Sequence, residues 1–283
     1  MERDYSVTRY APIYDVEWLD DVEFSLAALE AVVKVHRRRS APATFCIVGR
    51  LLELAPDRYG ALLSDDLFEV QNHSYTHMNV KQVAGGPPVD LAKVEDEIAR
   101  TNALVADVFG VRPIGFRTPG GFTNGLRGQT KVLEIAARNG IRWISSDARG
   151  PAETVPAGFT QPYTYAGDGF PDLVELPAHT WHENVLKGYS PVPAFWPPIL
   201  PYGLPRFPPR TPEEEFQIHR LGMEHALAEE LIHFSPAMHP WSIYRFNSEA
   251  RTVDLVLEHA GRIGMPIARA SDIYREVIAA QTS

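Results

Sequence analysis

The chain has 283 residues, 45% hydrophobic and 22% charged, a globular composition that one domain of about 75% buried surface can accommodate. Its formal net charge of −9 argues against a nucleic-acid backbone or an anionic membrane surface as partner. No apolar run approaches the ~20 residues of a membrane span, the N-terminus lacks an apolar signal core and the single cysteine, Cys46, excludes an intrachain disulfide, so a cytosolic protein is expected.

Tyr10 to Glu17 reads as the first strand. Asp20 is placed to cap a helix with apolar residues at Val22, Leu26, Leu29 and Val33. That helix ends in Arg37-Arg38-Arg39, where cations suit the dipole. Ala43 to Val48 is a strand that holds Cys46 as a core residue, and Asp66 to Gln71 is another. Asp90 caps a helix through Val94, Ile98, Val105 and Val108, closed by Gly110. Arg112 to Arg117 is a strand, Gln129 to Arg138 a helix closed by Gly140, Ile141 to Asp147 a strand, and Asp172 to Leu176 a further one.

About residues 188–212 the pattern turns irregular. Nine prolines fall between Ser190 and Pro212, with Phe195, Trp196, Tyr202 and Phe207 among them. Prolines in this number oppose regular structure and reduce the entropy lost on ordering. A stiff loop over a substrate or a neighbouring subunit, and a plain connector, both fit. Thr211-Pro212-Glu213-Glu214 then supplies an N-cap, a proline at N1 and first-turn acids for a helix to about His233. A strand (Phe234 to His239), a helix (Ser248 to Ile263), a strand (Pro266 to Ala268) and a last helix capped by Ser271 follow. Such alternation predicts an α/β fold with a parallel sheet, closed or nearly closed into a barrel. One domain over 1–283 is expected.

The polar residues suited to chemistry sit at predicted strand ends. Asp15 and Glu17 share one face of their strand, with Val16 on the other. Phe68-Glu69-Val70-Gln71-Asn72-His73-Ser74-Tyr75-Thr76-His77 ends in two histidines four residues apart. Neutral imidazole is the commonest protein ligand for a divalent cation, and two imidazoles a helical turn apart can face a common centre. Arg117 lies in Gly115-Phe116-Arg117-Thr118-Pro119-Gly120-Gly121, Asp147 follows Ile144-Ser145-Ser146, and His239 lies in Met238-His239-Pro240-Trp241. In a parallel barrel the C-terminal strand ends meet at one mouth. These five strands therefore lay out a multi-residue active site.

In order and context these motifs resemble the polysaccharide deacetylase (NodB-homology) family, the fourth family of carbohydrate esterases. Ala43-Thr44-Phe45 with Gly49 is similar to the family's second-strand pattern. His73-Ser74-Tyr75-Thr76-His77 resembles its H-[ST]-x-x-H metal motif, and Arg117-Thr118-Pro119-Gly120-Gly121 its R-x-P-x-G motif. Ser146-Asp147 and Met238-His239-Pro240 fit the fourth and fifth. The similarity spans about Tyr10 to Arg269. It implies a distorted (β/α) barrel of about seven strands and hydrolysis of an N-acyl group, usually N-acetyl on a hexosamine. By analogy Glu17, His73 and His77 hold a divalent metal, zinc first, with cobalt or nickel as alternatives. Asp15 is then the base, Arg117 its orienter, His239 the acid, and Asp147 the second aspartate that tunes the acid. Pro119 falls to substrate binding. Such a division suits the chemistry: a cation acidifies water toward a pKa of about 7 and stabilises an oxyanion, and a base and an acid each add roughly 10²–10⁴-fold.

The first motif departs from the family's adjacent aspartates. Asp15-Val16-Glu17 stands in its place, and Glu17 is one methylene longer. An adjacent pair, Asp20-Asp21, reads first as an N-cap with a first-turn acid, and whether Glu17 or that pair supplies the carboxylate ligand stays open. Downstream, Leu176-Pro177-Ala178-His179-Thr180-Trp181-His182-Glu183 follows a strand. Here Trp181 could stack on a sugar face and His182 could hydrogen-bond it, or the segment is a surface loop with an anchoring tryptophan. His36, His219, His225, His233 and His259 read as helix-surface or helix-end residues. The reading is a metal-dependent hydrolase that removes acetyl or formyl from an amino sugar or similar small amide. Its rivals are a metal-independent, allantoinase-like ureide hydrolase and an inactive carbohydrate-binding relative. The expected partner is a small-molecule or oligosaccharide amide, with homo-oligomerisation open.

Overall fold

Pro12 divides the first expected strand. It has no N–H to give a ladder, and the chain forms β1 (Arg9–Tyr10) and β2 (Ile13–Val16) around it. The structure, a computed structural model, describes residues 7–82, 86–150, 158–187 and 208–282. The proline-rich loop therefore falls almost wholly outside the described residues. After β2 come α1 (Val22–Arg39), β3 (Ala43–Ile47), α2 (Gly49–Leu54), α3 (Pro56–Leu63), β4 (Phe68–Asn72), α4 (Leu91–Phe109), β5 (Gly115–Thr123) and α5 (Thr130–Arg138). Next are β6 (Trp143–Arg149), β7 (Tyr163–Tyr165), β8 (Phe170–Glu175), β9 (Thr180–Trp181) and α6 (His182–Lys187). The chain ends with α7 (Pro212–Ala228), β10 (His233–Phe234), β11 (Pro236–Met238), α8 (Pro240–Phe246), α9 (Arg251–Arg262) and α10 (Ala270–Thr282). No described helix is long and apolar enough to cross a membrane.

The main sheet runs β7-β8-β6-β5-β4-β3-β2-β11-β9, and every pairing is parallel except β7 on β8. Among the described residues no continuous ladder closes it. One stretch, residues 170–181, spans the opening instead. Its start pairs with β6 and its end with β11. Between them Leu176 N donates to Ile144 O (2.7 Å), Ala178 N to Asp147 O (2.9 Å) and His179 N to Ser235 O (2.9 Å). Counting that stretch once, seven staves surround the centre. The parallel sheet, nearly closed, is what the alternation predicts, and the distorted barrel of about seven strands is what the resemblance implies. The expected strand at Pro266–Ala268 is reduced to a single bridge from Ile267 to Tyr10.

Alternation along the strands sorts the side chains. Tyr14 and Phe45 face outward and stack at 5.3 Å under α1. Ile13 and Cys46 face inward with Trp143 and Val174, and Ile273 and Val277 of α10 join that cluster. Helix α10 plugs the end where strands begin: Ala270 N donates to Thr44 Oγ1 (2.9 Å), and Trp143 Nε1 to Ser271 Oγ (3.1 Å). Trp143 crosses the barrel floor so closely over Gly115 that a Cβ there would lie 2.0 Å from its ring. With one end plugged, the C-terminal strand ends carry the remaining polar groups.

Candidate active site

Asp15 is the last inward-facing residue of β2, and it is 5% exposed. Arg117 of β5, 3% exposed, donates through Nε to Asp15 Oδ2 at 3.3 Å. Its Nη1 donates to Ser145 Oγ (2.7 Å), and that hydroxyl donates to Leu176 O (2.6 Å). The guanidinium is thus tied to three staves. Asp15 Oδ1 is buried and has no hydrogen-bond partner among the described residues. An unpaired buried acceptor marks a place for a water or a substrate proton.

Glu17 extends just beyond β2. Its Oε2 lies 2.7 Å from His77 Nε2 and 3.2 Å from His73 Nε2. One ligand atom from each of these three residues lies within 4.8 Å of the others. His73 Nδ1 donates to Arg117 O at 2.9 Å, which leaves Nε2 as the lone-pair nitrogen and fixes the ring. Trp241 Nε1 donates to Glu17 Oε1 at 3.4 Å. The Glu17 carboxyl is held well below its usual range: burial works to raise it, and His239, His73 and His77 outweigh burial. The two histidines do not stand on a helical turn, as their spacing suggests. Strand β4 stops at Asn72, and a loop with Ser74 and His77 at φ 63° brings them together. Asp21, not Asp20, caps α1 by accepting from Phe24 N at 3.0 Å. The carboxylate beside the histidines belongs to Glu17.

His239 follows β11 and opens α8. Its Nε2 lies 3.4 Å from Glu17 and 3.7 Å from Asp15. Its Nδ1 lies 2.9 Å from Glu183 Oε1. Burial pulls this imidazole down, but Glu183, Glu17 and Asp15 outweigh burial and raise it to about 10. The carboxylate that tunes His239 is therefore Glu183, and the expectation for Asp147 is corrected. Asp147 accepts from Tyr163 OH at 3.2 Å, and its own N–H is taken by Glu175 at 2.7 Å. Burial raises the Asp147 carboxyl. The expectation that His182 faces substrate also fails. It is 1% exposed, with Nδ1 3.0 Å from Ser242 Oγ and Nε2 2.5 Å from Glu215. Trp181 remains at the mouth: it is half-buried, with its ring centre 6.4 Å from His239 and its N–H given to Ala148 O at 2.8 Å. Trp241 lies on another side, 5.7 Å from the same ring. Pro119 is buried within β5.

Glu183 carried no role in the sequence reading. Its one signal was a carboxylate directly after Trp181-His182, at a helix start that follows a strand.

One carboxylate and two imidazoles, one of them locked in its tautomer by a carbonyl, are a donor set that suits zinc and its neighbours in the series. The orphaned Asp15 oxygen beside them fits a site built for more than its protein atoms. The fold is that of the NodB-like barrels. Residues 19–144 match the family model described as polysaccharide deacetylase. No curated protein matches in sequence. A protein of Mycobacterium smegmatis assigned to the polysaccharide deacetylases is similar in structure, at 19% identity and TM-score 0.69, over 99% of this chain and 93% of that one. The Puue allantoinase is similar at 15% identity and TM-score 0.65, over 95% and 89%. A family 4 carbohydrate esterase from Streptomyces lividans in complex with acetate is similar at 15% identity and TM-score 0.54, over 92% of each.

Proposed function

We propose that the protein removes an acetyl or formyl group from the nitrogen of an amino sugar or similar small amide, and that Glu17, His73 and His77 hold a divalent cation, zinc first, with cobalt or nickel as alternatives. The observation that carries this reading is the meeting of those three ligand atoms, within 4.8 Å, beside an arginine-held aspartate and a carboxylate-held histidine. A cation held there would polarise the acyl oxygen and acidify a water.

The chain's own residues divide the remaining work. Asp15 accepts the proton of the attacking water on Oδ1, which has no partner among the described residues. Arg117 fixes the carboxylate through Oδ2. As the C–N bond breaks, His239 delivers the proton on Nε2 to the departing amine, and Glu183 keeps Nδ1 occupied so that Nε2 faces the cavity. The products are a carboxylic acid and a free amine. Trp181 and Trp241 flank His239 on two sides and offer aromatic faces to the amine portion.

Release of primary amine from a panel of N-acetyl and N-formyl sugars and small amides tests the proposal. Turnover of at least one member, lost in His239→Ala, is the expected result. Silence across the panel, with opening of a cyclic ureide by metal-stripped protein, would contradict it. That outcome belongs to a second reading, an allantoinase-like activity, which the likeness to the Puue allantoinase over 89% of its length supports.

A further inference from the structure

The loop that presents the two histidines is held in an uncommon shape. Ser74 and His77 both take φ 63°, a left-handed conformation that costs a residue with a Cβ roughly 1–2 kcal/mol. Two such residues in one short loop persist only where the surroundings over-determine them. The surroundings here are helix α4 and its neighbours. Glu97, 7% exposed, accepts from Tyr75 N (2.8 Å) and Thr76 N (2.7 Å) through Oε2 and from Thr76 Oγ1 (2.6 Å) through Oε1. Asn72 accepts from Ser74 N at 2.7 Å and is itself anchored to Ile98 O and Asn102 Oδ1 of α4. From the other side Gly49 N donates to Ser74 O and Arg50 N to Tyr75 O.

His73 and His77 depend on this frame unequally. His73 is 1% exposed and tied to Arg117 O. His77 is 35% exposed, and among the described residues its side chain pairs with Glu17 and lies against the His73 ring. Its position is set by the backbone that precedes it, and that backbone hangs on Glu97.

We infer that Glu97 is a positioning residue for the cation site: its carboxylate locks the 75–76 turn and so holds His77 against Glu17 and His73. The inference rests on the metal-site reading. Glu97 touches neither substrate nor ligand; it acts through three hydrogen bonds to the loop. Groups that orient ligands in this indirect way commonly alter metal affinity by about 10–100-fold when removed.

Co(II) alone is the probe, titrated into chelator-treated protein and followed by its visible absorption. Glu97→Ala is expected to bind Co(II) about 10–100-fold more weakly, with an altered band shape. Glu97→Gln can still accept both backbone N–H groups and reach Thr76 Oγ1, so it should return to within about threefold of the parent affinity. Thr76→Val removes a single bond at an exposed position and should fall between them. Should the alanine variant not fold, the glutamine and valine variants carry the comparison. Parent-like affinity and spectrum in Glu97→Ala, or in Thr76→Val where it alone can be measured, would overturn the inference and leave the site standing. Absence of Co(II) binding by the unaltered protein would overturn both.

Discussion

Asp15 has one carboxylate oxygen on Arg117 and the other unpaired, although both are buried. A merely structural aspartate would spend both. Asp15→Asn keeps the shape and an acceptor for Arg117, and removes the ability to take a proton. Turnover should fall by about 10²–10⁴-fold with the bound cation retained, as steady-state rates and metal analysis on one preparation would show; undiminished turnover would reassign the base. Asp15, Glu17, His73, His77, Arg117 and His239 were legible because each sits in a short motif at a strand end. Glu183 was not, because its pairing with His239 depends on how residues 176–179 pass from β6 to β11, which no local pattern states. The isolated histidines were misread for another reason. His36 falls on the buried stripe of α1 with Leu29, Val32 and Val33, bonded to Tyr14 OH (2.8 Å) and near Ala41 O (3.0 Å). His219, His233 and His259 are likewise buried. The helical register turns His36, His219 and His259 inward, and His233 lies not at a helix end but in β10.

Helices with strong local punctuation were read correctly. Asp90 caps α4 by accepting from Ala92 N and Lys93 N, and Thr211 caps α7 by accepting from Glu214 N. Short helices escaped. α3 and α8 begin at Pro56 and Pro240, each a proline at N1, a signal visible in sequence but too brief to compete with the strand pattern around it. At α1 the cap itself moved by one residue. Asp21→Ala should therefore lower stability by about 1 kcal/mol, while Asp20→Ala leaves it within about 0.5 kcal/mol. Urea midpoints of the two variants decide the matter, and the reverse order would restore Asp20 as the cap.

The whole molecule gathers buried charge on one side of the site. Glu17 meets His239, His239 meets Glu183, and Glu183 lies 3.8 Å from His182, whose other nitrogen faces Glu215. Glu215 also accepts from Thr252 of α9 at 2.5 Å and lies 3.4 Å from His219. Burial lowers the His182 imidazole, but Glu215 and Glu183 outweigh burial and raise it to about 9. A raised histidine stabilises the fold fully below its ordinary value of 6.5 and loses that contribution as pH climbs through about 9. Breaking the pair with Glu215→Ala should thus cost about 3–5 kcal/mol at pH 6 and clearly less at pH 10, as denaturant unfolding at the two values would reveal; an equal cost at both would show His182 to be neutral throughout.

Glu17, His73 and His77 meet beside Asp15, and the most direct test of that meeting is the zinc content of the protein purified without chelator. About one ion per chain in the parent, and almost none in His77→Ala at comparable folding, is the predicted result. A parent protein free of zinc, cobalt and nickel even after incubation with each, or a His77→Ala variant that holds its ion as firmly as the parent, would contradict it.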